Sequence, residues 1–164
     1  MNVSEQLTAN FKAGEFLVSE TAIRMGIDTS NPPPEVEANI RNHAAPKAQG
    51  ARDILGVKCR IHCWRPDAVN NAIPGRPPGK RGAHPDGLAI DLVAEGMTPA
   101  QVFDTLREHP TYMDNVDQLI IERGCVHIGL PCPAANYICR RELRKEEIVR
   151  GARRYPMIGT WVKP

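Results

Sequence analysis

His84-Pro85-Asp86-Gly87-Leu88-Ala89-Ile90-Asp91-Leu92 places an imidazole and a carboxylate seven residues apart, with a glycine between them and apolar residues leading into the acid. It reads as a turn entering a short strand. His84 sits before the turn, and Ala89-Ile90-Asp91-Leu92 runs into the fold. Side chains alternate along a strand, so Ile90 and Leu92 share one face and Asp91 takes the other. A neutral imidazole and an ionised carboxylate brought together in this way suit a divalent transition metal, most often zinc. Two ligands do not complete a site. The third candidate is His127, in Val126-His127-Ile128, where a histidine again alternates with apolar residues. Three protein ligands leave one coordination position open, which is the pattern of a catalytic rather than a structural site.

The surroundings of this stretch are those of an ordinary soluble chain. Its 164 residues suit a single domain spanning 1–164, with a core that needs no disulfide stapling. A net charge of +2 does not argue for a nucleic-acid partner. The most basic run, Arg140-Arg141-Glu142-Leu143-Arg144-Lys145-Glu146-Glu147, is interleaved with acids and reads as one solvated face of a helix near 140–150. Met1-Asn2-Val3-Ser4-Glu5-Gln6 has no basic start followed by an apolar run, so synthesis in the cytoplasm without a signal peptide is expected. No apolar run approaches the length of a membrane span. Five cysteines form an odd set unlike a disulfide framework.

In chain order, Asn10-Phe11 and Phe16 are the first apolar anchors, and Ser19 caps a short helix that stops at Gly26. After Pro32-Pro33-Pro34, a longer helix starts at Glu35 and runs toward Leu55. Val36 and Ile40 lie on one side of it, Pro46 and Gly50 are expected to kink or break it, and Gly56 closes it. Residues 57–62 read as a strand, and a short helix passes through Asn70-Asn71-Ala72. A glycine, proline and basic loop from Pro74 to Gly82 then delivers His84. Thr98 caps a helix with Pro99 at its first position, extending to about His109. Asp117-Gln118-Leu119-Ile120-Ile121 and Cys125-Val126-His127-Ile128-Gly129-Leu130 form a hairpin around Glu122-Arg123-Gly124.

The order of apolar strand, Trp64-Arg65, Asn70, His84-x-x-Gly87-x-Ala89-x-Asp91, Asp117-Gln118-Leu119-Ile120 and Val126-His127-Ile128 resembles the zinc D-Ala-D-Ala carboxypeptidase superfamily. That group also holds phage and bacterial L-Ala-D-Glu endopeptidases and the zinc-binding fold of hedgehog signalling domains. Asn10-Phe11 through Ser19-Glu20-Thr21-Ala22 and Gly26-Ile27-Asp28 is similar to the branch found in phages. The resemblance covers roughly residues 10–130, leaving 131–164 as a C-terminal tail. It implies zinc ligands His84, Asp91 and His127, and matches Arg65 to the arginine of the family's Gly-Tyr-Arg-Ser-Pro motif, which lies near the substrate and the oxyanion. A fixed planar cation suits a peptide carboxylate or a developing tetrahedral charge. Glu122 is the candidate general base, activating water at the metal and later protonating the amine leaving group.

These elements predict an α+β fold: a small antiparallel sheet, helices packed on one face, and the zinc site at the open sheet end. The function they predict is a zinc metallopeptidase cleaving peptidoglycan stem peptides or cross-links, as a phage or prophage cell-wall-degrading protein. It would act at the bacterial cell wall or as part of a phage particle. The rival is a non-catalytic virion module that keeps the fold and contacts phage structural proteins. Two features favour the rival: Gly82 stands where many relatives carry serine, and the spacing of the base Glu122 differs; Cys125, where tryptophan commonly precedes Val-His, is a further departure from the family pattern. A peptidase with a non-wall substrate is a third reading. On one continuous strand Glu122, five residues before His127, would face away from it unless a turn at Gly124 intervenes. Cys59, His62 and Cys63 invite a second metal reading, with Cys125, Cys132 and Cys139 as possible additions. Cys59 and Cys63 would point one way and His62 the other, and the set lacks paired Cys-x-x-Cys motifs, so all five cysteines are expected as small buried hydrophobes. His43 and His109 read as solvated residues, and Trp64 as packed or lining a groove.

Overall fold

Alternation along 89–94 builds a central strand in the computed structural model, which describes residues 1–72, 82–133, 139–149 and 152–160. The strands are β1 (Cys59–His62), β2 (Ala89–Ala94), β3 (Gln118–Ile121), β4 (Val126–Gly129), β5 (Glu142–Lys145), β6 (Glu147–Val149), β7 (Ala152–Arg154) and β8 (Met157–Thr160). Six of them form one open sheet in the order β1-β2-β4-β3-β5-β8, antiparallel throughout except for the β3–β5 pair, while β6 and β7 pair separately. The helices are α1 (Ala13–Leu17), α2 (Glu20–Arg24), α3 (Pro34–Asn39), α4 (Ala45–Leu55), α5 (Asp67–Asn71), α6 (Pro99–Arg107) and α7 (Pro110–Met113). This is the expected α+β class.

α4 and α6 cover one sheet face. Ile90, Leu92, Leu119, Val126 and Ile128 point into that layer and are buried against Val102, Phe103 and Leu106. Each such side chain contributes about 1.5–3 kcal/mol by leaving water. The same alternation sends Asp91 and His127 to the other face, where they sit directly opposite one another across β2 and β4. Ser19 Oγ accepts from the Ala22 N–H, and Thr98 with Gln101 forms a reciprocal cap on α6. Gly56, at φ +67°, ends α4 in the left-handed conformation.

Three expectations change. Pro46 and Gly50 do not break the long helix. A wide turn over Ile40–Ala44, in which the Ala45 N–H reaches back to the Ile40 carbonyl, joins α3 to α4. The extra residue in that turn gives the Pro46 ring room and absorbs its missing donor. The helix expected near 140–150 is instead strand, as β5 and β6. Leu143 is buried while Glu142 and Arg144 lie on the other side, and β5 docks parallel to the free edge of β3. There Gln118 donates to Glu142 at 2.6 Å, and Arg144 pairs with Glu142 at 2.9 Å. Edge pairing decides the conformation, because the charge pattern reads equally well at either period. The cysteines also divide: all five are free, but only Cys59 and Cys63 are buried, Cys125 and Cys139 are half-buried, and Cys132 is exposed. Of the expected basic loop, residues 74–81 lie outside the described residues.

The turn that carries His84 is a single 3₁₀ turn, His84–Asp86, closed by Gly87 at φ +69°. A Cβ on Gly87 would lie 3.1 Å from Val36 Cγ1, Ile40 Cγ1 and the Val36 carbonyl oxygen. Backbone sign and packing both demand glycine. Gly87→Ala is expected to lower unfolding free energy by about 1–3 kcal/mol, read from the urea midpoint. An unchanged midpoint would show that this turn bears no strain from a side chain.

Candidate metal centre

Four backbone anchors hold the His84 turn before any ligand is considered. Trp64 Nε1 donates to the Pro85 carbonyl at 3.2 Å, Asn39 Nδ2 to the Asp86 carbonyl at 2.9 Å, and the Leu88 N–H to the Ala83 carbonyl at 3.0 Å. The fourth involves the imidazole itself: His84 Nδ1 lies 2.5 Å from the Cys63 carbonyl oxygen. A carbonyl only accepts, so Nδ1 carries the hydrogen. Trp64 is therefore packed, and its N–H serves this turn rather than a groove.

Burial pushes the His84 pKa down to about 4, outweighing the attraction of Asp91. The ring is neutral near neutral pH, and Nε2 holds a lone pair. That lone pair faces Asp91 Oδ1 at 3.2 Å. Burial opposes ionisation of Asp91, but contacts from His84 and His127 outweigh it and hold the carboxyl well below the usual carboxylate range. With Nδ1 already carrying a hydrogen, a neutral His84 ring leaves Nε2 without one to give this oxygen. Such a contact is relieved by a proton or a cation.

His127 Nδ1 approaches the same Asp91 oxygen at 2.9 Å, and the two imidazole rings lie 5.1 Å apart, edge to face. One ligand atom from each of His84, Asp91 and His127 lies within 4.8 Å of the others. Two nitrogens and a carboxylate oxygen, from the turn before β2, from β2 and from β4, are a donor set that a divalent transition metal fits. The cluster lies on the sheet face opposite α4 and α6, at the end where β1 finishes and β2 begins. All three sequence-predicted ligands are brought together.

Comparison with protein-family models, curated proteins and solved structures yields no match to this chain. The site therefore has to be understood from its own geometry.

Arg65 lies beside the cluster: its Nη2 pairs with Asp91 Oδ2, leaving Oδ1 to the histidines. Glu122 also belongs here. The Glu122 N–H bonds to the Cys125 carbonyl at 3.0 Å, so Arg123 and Gly124 form a tight turn and Glu122 stands opposite Cys125. Residues opposite one another in a hairpin share a face, and Cys125 is two residues from His127. The turn thus cancels the odd offset, and ligand atoms of Asp91, Glu122 and Cys125 lie within 4.8 Å of one another. Burial, then the charge of Asp91, raises the Glu122 pKa. Burial and both carboxylates raise the Cys125 thiol, which donates to Glu122 Oε2 at 3.7 Å.

The second metal reading fails. Cys59 and Cys63 point into the core, where their thiols meet the Val57 and Gly87 carbonyls, and neither joins a three-ligand group among the described residues. His62 does not join that cysteine set. It instead sits across from Asp91 in the β1–β2 register and contacts Arg65. The signal was the three-residue step from His62 to Arg65 at a strand end. Asn70 is fully buried, and its side-chain amide has no hydrogen-bond partner among the described residues. His43 and His109 are exposed as expected.

Two outcomes follow from this geometry. Equilibrium dialysis against zinc should load about one ion per chain, and His127→Ala or Asp91→Ala should weaken binding by at least about a hundredfold. A wild-type chain that binds no zinc would remove the metal centre. In chelator, the metal-free protein should lose stability as pH falls. Unfolded histidine takes up a proton near pH 6.5 while folded His84 does so only near 4, so the unfolded state binds more protons between those values. Urea midpoints that stay level across this window would contradict the buried neutral ring.

Proposed function

We propose that this chain is a zinc-dependent peptidase of bacterial peptidoglycan, acting on stem peptides or cross-links. The observation that supports it most is the convergence of His84 Nε2 and His127 Nδ1 on Asp91 Oδ1, a two-nitrogen, one-oxygen donor set. The resemblance of His84-x-x-Gly87-x-Ala89-x-Asp91 and Val126-His127 to the zinc D-Ala-D-Ala carboxypeptidase superfamily supplies the substrate class. Among the described residues no helix is long and apolar enough to cross a membrane.

A zinc ion held by His84, Asp91 and His127 supplies Lewis-acid polarisation of water and of the scissile carbonyl. The protein's own groups do the rest. Glu122 accepts the proton of the attacking water and returns it to the amine leaving group. Its raised pKa narrows the gap between those two tasks. Arg65 places a permanent positive charge beside the cluster, suited to the oxyanion or to a substrate carboxylate. The similarity of the N-terminal segment to phage relatives favours a phage or prophage cell-wall-degrading protein. That protein would be either a lysis enzyme or a component carried in the particle.

Purified sacculi incubated with zinc-loaded protein should yield muropeptides with newly freed amine and carboxyl ends, seen by mass spectrometry. Glu122→Gln should slow release by about 10²–10⁴-fold while zinc stays bound. The acidic limb of the wild-type pH–rate profile should stand above the ordinary glutamate range, because protonated Glu122 cannot accept a proton. Intact muropeptides after incubation with the zinc-loaded protein would defeat the peptidase reading and leave a binding module of the phage particle.

A further inference from the structure

His62 Nδ1 lies 2.7 Å from the Val18 carbonyl oxygen at the end of α1. Because that oxygen only accepts, Nδ1 carries the hydrogen. Burial, then the neighbouring Arg65 charge, disfavours protonation of the ring. Nε2 is then an acceptor, and Arg65 Nε donates to it at 2.7 Å. The same guanidinium gives Nη2 to Asp91 Oδ2. Its plane is thus fixed at two corners, by an imidazole from β1 and a carboxylate from β2. These residues are paired across the strands. Between His62 and Arg65 the chain has no slack: Cys63 and Trp64 are buried, and the Trp64 N–H bonds to the Phe16 carbonyl at 2.9 Å.

We propose that His62 is a positioning residue for Arg65, a neutral acceptor relaying the Val18 carbonyl to the guanidinium and setting the angle at which Arg65 meets the substrate. The proposal rests on the peptidase reading for its consequence but not for its geometry. The choice of a neutral partner has a physical reason. A second carboxylate at this corner would orient Arg65 equally well but would cancel its charge. An uncharged imidazole nitrogen orients it without adding a second negative charge to that of Asp91, so more of the positive charge is left to oppose negative charge that develops during reaction. Among the described residues Nη1 has no hydrogen-bond partner, so donors remain for an incoming group.

His62→Phe keeps the flat ring and removes the acceptor, and His62→Gln restores an acceptor at similar reach. In nitrogen-15 NMR of the full chain, the Arg65 Nε–H signal should be protected from exchange in wild type. Protection should be lost in His62→Phe and recovered in His62→Gln, with zinc stoichiometry unchanged. On muropeptides, His62→Phe should lower kcat by roughly ten- to a hundredfold with little change in KM, and His62→Gln should recover most of that loss. In an Arg65→Ala background, His62→Phe should cost nothing further. Should the Phe variant fail to fold, His62→Asn, too short to reach Arg65, takes its place in each comparison. An Arg65 Nε–H that stays protected without the acceptor overturns the proposal, and so do losses that add to those of Arg65→Ala. If the wild type cleaves nothing yet the protection still tracks residue 62, the peptidase reading falls and the positioning contact stands.

Discussion

The hydrogen bond from His84 Nδ1 to the Cys63 carbonyl is the constraint on which the site depends. It selects the tautomer, and the tautomer turns a lone pair toward Asp91. The bond forms only because the 3₁₀ turn returns His84 to the end of β1. That return needs Gly87 in the left-handed region, with no side chain between the turn and α3. Trp64 makes the same connection from the other side, through its ring N–H to Pro85. Ligand geometry here is a consequence of how one turn is seated.

Around that bond the charges are sorted by burial. His84 is kept neutral, Asp91 is kept ionised, and Glu122 is raised toward neutrality. The three behave differently because their partners differ. Asp91 is met by two imidazoles and a guanidinium, whereas Glu122 faces another carboxylate and a thiol. Two carboxylates a few ångströms apart thereby differ in proton affinity, the difference that the proposed ligand and proton-carrier roles would use. Arg65 neutralises the outer oxygen of Asp91, which lets the inner oxygen serve both histidines.

One sheet face carries this cluster because the opposite face is committed to the core. Ile90, Leu92, Ile128 and Leu119 must all meet α4 and α6. With side-chain period two, Asp91 and His127 have no other place to go. His62, Asp91, His127 and Ile120 form one row across four strands in the observed register. Slipping β2 against β4 by one residue would turn Asp91 toward the core and an aliphatic neighbour away from it, so hydrophobic burial on one side enforces the Asp91–His127 alignment on the other.

What was legible in the sequence was what depends on neighbours in the chain. The Ser19 and Thr98 caps, the Gly26 and Gly56 stops, the β2 alternation and the β3–β4 hairpin all arise from contacts a few residues apart. The candidate ligand types and their resemblance to a zinc peptidase pattern are legible as residue order along the chain, while the meeting of Asp91 with His127 across β2 and β4 is not a neighbour contact. Other features required the third dimension. Residues 142–145 became strand because β3 offered a free edge, and Pro46 was absorbed because a wide turn could be packed. Glu122 joined the site through a two-residue turn that reversed its expected face, and His62 gained its role only when α1 brought the Val18 carbonyl to it. Local bonding is written in adjacent residues. The partner of an edge, a face or a lone pair is chosen by whatever distant segment the packed chain carries alongside.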